Sequence, residues 1–168
     1  MMQKQRYQVK RVTSEQEAQR VVDFLLSQDA FTDQEWTPGE VNIVTSGPFD
    51  SVKNAHHAYW YIEHNGEVIG AMGLRENDYK SGGYEASNDY FAVHRNYRQQ
   101  GVGSLLLQTA EEYAEKNNGR FILIETCDTA MYRPAQILYE KHGYKRVAHV
   151  PDYYLPGEGR VDYYKKLG

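Results

Sequence analysis

Arg98, Gly101 and Gly103 share a spacing, Arg-x-x-Gly-x-Gly, that can hold an anion. An apolar, aromatic run ends at Val93 just before them, and a basic, polar turn lies between. Beyond them Val102, Leu105, Leu106, Thr109, Ala110, Tyr113 and Ala114 recur at the intervals of one face of an amphipathic helix. The order is strand, turn, helix, with glycines at the helix mouth. The first N–H groups of a helix lack partners within it and carry the positive end of its dipole. Glycine lets a ligand approach that main chain closely. The spacing is neither a Walker loop nor Gly-x-Gly-x-x-Gly, and by itself it is a weak signal, because glycine near a helix start also serves as a cap.

A second constellation lies downstream, in the segment from Pro134 to Tyr144, where Tyr139 precedes the Gly143–Tyr144 pair. Val93-(x)4-Arg98-x-x-Gly101-x-Gly103 and this later segment, in that order, resemble the two signatures of the GNAT acetyltransferase superfamily, over roughly residues 60 to 167. The resemblance implies an α/β fold, with a central mixed sheet of about seven strands flanked by about four helices. It also implies that acetyl-CoA is the co-substrate and that no metal is needed. Carried onto this sequence, Arg98 and the amides of Gln99, Gln100, Gly101, Val102, Gly103 and Ser104 would hold the pyrophosphate. The strand of Phe91, Ala92 and Val93, chiefly Phe91 and Val93, would pair its main chain with the pantetheine arm.

The resemblance further implies that Tyr139 donates a hydrogen bond or proton to the sulfur of coenzyme A. A phenol with an ordinary pKa near 10 suits a thiolate whose conjugate acid has a pKa near 8.5. Alternatively, Tyr139 packs one helix face with Ala135, Leu138 and His142. Three carboxylates compete for the role of base. Glu125 lies near the C-terminal end of its strand, where ligands bind in open α/β sheets. Ribosomal-protein alanine N-acetyltransferases, a subgroup this chain resembles also around Asp152–Gly157, place a glutamate there. Other relatives place the carboxylate on the preceding strand, where Glu85 and Asp89 stand, and a chain of water molecules could replace all three. A carboxylate beside a low-dielectric cleft would have its pKa raised towards that of a useful base.

The sequence departs from that subgroup in the loop from Thr126 to Gln136, which is about two residues longer. The asparagine that often contacts the cofactor is replaced by Tyr132, Arg133 and Pro134, and Arg133 could take over a phosphate or carbonyl contact. A ribosomal-protein acceptor is therefore not implied. The expected function is N-acetylation of a primary amine, on a small molecule or a peptide, by direct transfer. The alternatives are a non-catalytic acyl-CoA-binding regulator of the same fold and a different nucleotide-binding α/β protein. Glu125 would suit the latter as the acidic residue expected about 20 residues beyond the glycines. Cys127 has no histidine and acid placed by sequence to activate it as a nucleophile.

The elements that must position these groups read as follows. Tyr7 to Val12 is a weak edge strand. Ser14 caps a first helix with Glu17 as its partner and Ala18, Val21, Val22, Leu25 and Leu26 on its buried face. Residues 29 to 57 are poorly legible. Asp33 to Trp36 reads as a helical turn, Thr37–Gly39 and Ser46–Pro48 as breakers, and Trp36 and Phe49 as core or acceptor-wall aromatics. Ala58–Glu63 and Val68–Leu74 form a hairpin on an Asn65–Gly66 turn. Glu76–Gly83 is a loop. Tyr84–Val93 and Arg120–Cys127 are the parallel strands of a βαβ unit. Arg133–His142 is a helix stopped by Gly143, and Tyr144–Val150 with Val161–Leu167 closes the sheet around Pro156–Gly159.

The chain has 168 residues and a net charge of -4, which suits a single domain spanning 1–168 without the basic stripe of a nucleic-acid binder. No apolar run is long enough to cross a membrane, and Met1–Arg6 is not the start of a signal peptide. One cysteine allows no internal disulfide, so a cytoplasmic setting is expected, with homodimerisation left open. His56, His57 and His64 lack the carboxylate or cysteine companions of a zinc site.

Overall fold

The computed structural model describes residues 7–168, so the Met1–Arg6 start lies outside the described residues. Among the described residues, eight strands and four α-helices make a mixed α/β protein. They divide into two compact units, the first running to Arg75 and including Asn88–Ala110, the second made of Glu76–Ser87 and Glu111–Gly168.

The first unit is antiparallel. The edge strand β1 (Val9–Arg11) pairs β2 (His57–His64), which pairs β3 (Glu67–Glu76), which pairs β5 (Phe91–Val93). Asn65 and Gly66, both at positive φ, make the two-residue turn between β2 and β3. Helix α1 (Glu15–Leu25) buries Ala18, Val21, Val22, Phe24 and Leu25. Its cap is half of the expected reciprocal box. Ser14 accepts from the Glu17 amide, but the Glu17 carboxylate turns back to the amide and hydroxyl of Thr13.

Helix α2 (Pro38–Lys53) is the element missed among the supposed breakers. Thr37 is its N-cap, closing a capping box with Glu40. Pro38 stands at the helix start, where an N–H would be orphaned in any case. Pro48 sits in the helix interior. Asp33–Trp36, read as a helical turn, lies outside any helix.

The second unit contains β4 (Gly83–Ala86), β6 (Phe121–Cys127), β8 (Glu158–Lys166) and β7 (Lys145–Leu155), in that spatial order. β4 and β6 run parallel, while β6–β8 and β8–β7 are antiparallel. Helix α4 (Arg133–Lys141) packs here and ends before Gly143. Helix α3 (Val102–Lys116) begins in the first unit and finishes in the second. Its buried residues are Val102, Leu106, Leu107, Ala110 and Ala114, so Leu107 joins the expected face.

The expected strand Tyr84–Val93 is two strands, β4 and β5, separated by a bend at Ser87–Asp89. That break raises the strand count from the expected seven to eight, and Asp89, buried and paired with Arg75, lies within it. The βαβ pairing survives, as β4 with β6. The closing hairpin is longer than expected, with β7 running to Leu155 and β8 starting at Glu158, and its register slips twice. Among the described residues no helix is long and apolar enough to cross a membrane.

Candidate active site

In the first unit β5 leads into a loop that ends on α3. The Tyr90 carbonyl accepts from the Gly73 amide, and the His94 amide donates to the Ile69 carbonyl. The antiparallel ladder therefore turns the main chain of Tyr90, Ala92 and His94 towards β3, and that of Phe91 and Val93 to the opposite side. A 3-10 turn, Arg95–Tyr97, follows. Arg98 is exposed, with its Nε 3.4 Å from the Val93 carbonyl oxygen. Gln99 and Gly101 both hold positive φ, 61° and 85°, and a Cβ on Gly101 would meet nothing within 4 Å. Tyr7, buried, donates to Gln100 Oε1 at 2.8 Å and fixes the loop from β1's approach.

The N-terminus of α3 has no acidic residue in its first turn, whereas α1 and α2 carry Glu15, Glu17 and Glu40 in theirs. Val102 is buried and Gly103 and Ser104 are half-buried. α3 can start this close to the sheet because β3 has a glycine at position 70. A Cβ there would lie 2.7 Å from Val102 Cγ1. Exposed residues from Arg98 to Gly101, positive-φ positions and no first-turn carboxylate fit an anion.

Asp89 stands apart from this loop. It is buried, and its two oxygens are taken by Arg75 Nε at 2.7 Å, Arg75 Nη2 at 2.8 Å and His57 Nε2 at 3.0 Å. Burial pushes its pKa up, but the bonds from Arg75 and His57 more than offset this and hold it below the usual carboxylate range. A base needs an available oxygen and a pKa near working pH, and Asp89 offers neither. It is a structural anchor beside Tyr90. Of the two aromatics in the poorly legible region, Trp36 rests against Phe31 and Tyr90, and Phe49 is half-buried.

In the second unit the register β4–β6–β8 brings Glu85, Glu125 and Asp162 to one sheet face, with Arg160 on the same side. Tyr154 donates to Glu125 Oε2 at 2.5 Å, and Arg160 Nη1 lies 3.4 Å from Glu125 Oε1. Arg160 also grips Asp162 and lies over the Tyr153 ring. Burial pushes the Tyr154 phenol far up, and its bond to Glu125 adds to this, so it stays a donor. Glu85 is raised as well, by burial first, with Arg160 opposing and Glu125 and Asp162 reinforcing. Tyr154, Arg160 and Asp162 were missed. Strand alternation puts Arg160 and Asp162 on one face, but nothing in the sequence says which residue faces Glu125.

Tyr139 is buried on α4 against the rings of Tyr144 and Tyr163, and burial raises its pKa strongly. Arg133 points along its own helix, Nη1 lying 3.1 Å from Gln136 Oε1 and 3.4 Å from Glu140 Oε1. Gln136, also missed, reaches back to the Cys127 carbonyl at 2.8 Å and ties down the long loop. The Cys127 thiol is buried and contacts Thr129 Oγ1 at 3.6 Å.

Residues 21–144 match the Acetyltransferase (GNAT) family, more than half of the chain. The chain therefore belongs to the GNAT acetyltransferase family, and acyl transfer is the class of chemistry that membership gives it. Its fold is shared with a protein described as a GNAT-family acetyltransferase from Desulfovibrio desulfuricans, at a TM-score of 0.78, 19% identity, and 96% and 99% of the two chains. An aminoglycoside 6'-N-acetyltransferase solved with coenzyme A has a TM-score of 0.72 at 16% identity over 95% and 96%. The ribosomal-protein-S18-alanine N-acetyltransferase of Escherichia coli has the same score and identity over 96% and 94%. At such identities these likenesses show the fold. The curated relatives it matches are 29–33% identical over 88–111 residues, and the chain spans 37–59% of their lengths.

Proposed function

We propose that the protein transfers an acetyl group from acetyl-CoA to a primary amine, directly and without an acyl-enzyme. The observation that carries this is the loop from Arg98 to Ser104. It combines an exposed arginine, positive φ at Gln99 and Gly101, and a helix mouth free of first-turn acids. That combination suits a pyrophosphate, and the aminoglycoside acetyltransferase of the same fold holds coenzyme A.

When bound, acetyl-CoA supplies the thioester whose C–S bond breaks as the amine nitrogen bonds to the carbonyl carbon. The chain's own residues handle the rest. Arg98 and the amides from Gln99 to Ser104 hold phosphate oxygens, and the main chain of Phe91 and Val93 pairs with the pantetheine amides. Glu125 takes the proton the amine must lose, directly or through water. Tyr154 and Arg160 orient its two oxygens, and Glu85 is the neighbouring carboxylate that could share the task. Tyr139, kept protonated by its burial, donates towards the departing sulfur. Acidic groups on the Glu85–Glu125–Asp162 face suit a cationic acceptor, of small-molecule or peptide origin.

Calorimetric titration with acetyl-CoA tests the reading. Wild-type protein is expected to bind at about micromolar Kd, and a folded Gly101→Val/Gly103→Val variant is expected not to bind. Thiol release on adding a panel of amines then tests turnover. A folded wild type that ignores acetyl-CoA sinks the proposal, and binding without release to any amine favours a non-catalytic acyl-CoA sensor.

A further inference from the structure

His94 opens the anion loop, and nothing in the transfer chemistry above uses it. Its side chain is 4% exposed. The ring stacks on Phe24 at 6.5 Å and meets Tyr97 edge-on at 5.3 Å. Nδ1 accepts from the Asn96 amide at 3.1 Å, the side-chain cap of the 3-10 turn Arg95–Tyr97. Nε2 lies 3.3 Å from Glu67 Oε1 and 3.4 Å from Asp29 Oδ2. Asp29 also holds Arg95, through its carbonyl to the Arg95 amide at 2.8 Å and through Oδ1 to Nε at 3.0 Å.

Asp29, Glu67 and His94 form a grouping that resembles a cation site. The donor chemistry argues otherwise. Nδ1 already accepts from an amide, so a neutral ring must carry its proton on Nε2, the atom that faces both carboxylates. A metal there would need that nitrogen's lone pair and would leave an imidazolate. The bond from the Asn96 amide instead defines one tautomer, with Nδ1 as acceptor and the proton on Nε2, beside the two carboxylates.

We propose that His94 is the positioning residue of the anion loop, and that a second proton on its ring releases the loop. A doubly protonated ring has N–H at both nitrogens. Its Nε2 end would gain from Asp29 and Glu67, with the Arg95 guanidinium opposing. Its Nδ1 end would face the Asn96 N–H with a proton of its own, and the cap on the turn would be lost. Another titratable neighbour in ring contact is Tyr97, whose ring also meets His64 edge-on at 5.7 Å. Histidines in general change charge between about pH 5 and 8, so acidification in that window tests the device.

The inference rests on the acetyl-CoA reading for its functional consequence, not for the clamp itself. Two variants separate the two ends of the ring. His94→Asn keeps an acceptor that can cap the Asn96 amide in an Asx turn but cannot be protonated. His94→Phe keeps the ring packing and loses the acceptor. At pH 8, acetyl-CoA affinity is expected to stay close to wild type in His94→Asn. In His94→Phe it is expected to fall roughly three- to tenfold, the worth of one net hydrogen bond. From pH 8 to 5.5 the wild type is expected to lose affinity relative to His94→Asn. The titration of the cofactor's own phosphates is common to both and cancels in the ratio. In the ligand-free protein, hydrogen exchange at the Asn96 amide is expected to speed up, beyond its intrinsic pH dependence, only in wild type. Equal loss in His94→Asn and His94→Phe, or a wild-type to His94→Asn ratio flat with pH, would overturn the proposal. If wild type binds no acetyl-CoA at all, the transferase reading fails, while Asn96 exchange still decides the clamp.

Discussion

Asp89 in the first unit and Glu125 in the second are both carboxylates paired with an arginine, yet their surroundings differ. Around Asp89 every bond is to a cationic or potentially cationic donor, Arg75 twice and His57 once, and the side chain is wholly excluded from solvent. Around Glu125 the close donor is a phenol, and Arg160 is longer at 3.4 Å and shared with Asp162. A charge neutralised that fully has no capacity left to accept a proton from a substrate. Glu125, held by a neutral donor and a divided arginine, is the carboxylate to which the proposal gives the base role. The difference teaches that pairing with arginine does not by itself mark a carboxylate as a structural anchor. What differs here is how many of the donors are charged and how fully the side chain is enclosed.

Removing the charge at each site breaks the comparison most sharply. Asp89→Asn should destabilise the fold by about 1–3 kcal/mol, because the wholly buried carboxylate shared by Arg75 and His57 becomes a neutral amide that cannot accept at both ends. Denaturant unfolding followed by circular dichroism measures this, and a loss below about 1 kcal/mol would mean the network is not the anchor described. Glu125→Gln should cut turnover by roughly 10²–10⁴-fold with little change in the unfolding midpoint. Should Glu85→Gln produce the larger fall in turnover, the base is Glu85.

Next in size is Tyr139→Phe, expected to lower kcat by about tenfold or more while acetyl-CoA affinity holds. Equal kcat in the two proteins would leave Tyr139 with packing alone. The smallest effect is in acid stability, and its sign differs between the sites. Asp89, held low, contributes stability that is fully present above the unfolded value of 3.8 and lost as pH falls through its lower folded value. Glu85, raised, works the other way. Its contribution is present below the unfolded value of 4.5 and fades as pH rises through the higher folded value. The unfolding free energy of wild type relative to Glu85→Gln should therefore fall as pH rises from 4 to 7. Parallel curves would show that Glu85 is not displaced.

How much of this could be read in advance depended on whether the signal was local. The strand–turn–helix around Gly101 and the hairpin at Asn65–Gly66 were legible, since short-range spacing and turn chemistry specify both. Helix α2 was hidden because Pro38, Gly39, Gly47 and Pro48 are all breakers in isolation. Only the capping box of Thr37 with Glu40 turns Pro38 from a stop into a start. The split of Tyr84–Val93 was hidden for another reason. Asp89, within the break, pairs with Arg75 and His57, partners 14 and 32 residues away that no local pattern names. The same non-locality concealed Tyr154 and Arg160, which lie 29 and 35 positions beyond Glu125 along the chain and reach it only through strand register.

β7 is the last strand of its unit's order, so among the described residues one of its sides has no neighbour in the sheet, and it exposes Val147, Val150 and Tyr153. A bare strand side of eleven residues is a template for a foreign chain and hence a hazard in a crowded solution. This one is spoiled as a template. Lys145 and Arg146 place like charges at its start, Pro151 withholds an N–H, Asp152 sits at a φ of 55°, and the register against β8 slips twice. A straight incoming strand would find its hydrogen bonds interrupted within a few residues. The register slips of this hairpin thus also act against amyloid-like stacking, and straightening β7 by replacing Pro151 with Val would be expected to lower the concentration at which the protein stays clear.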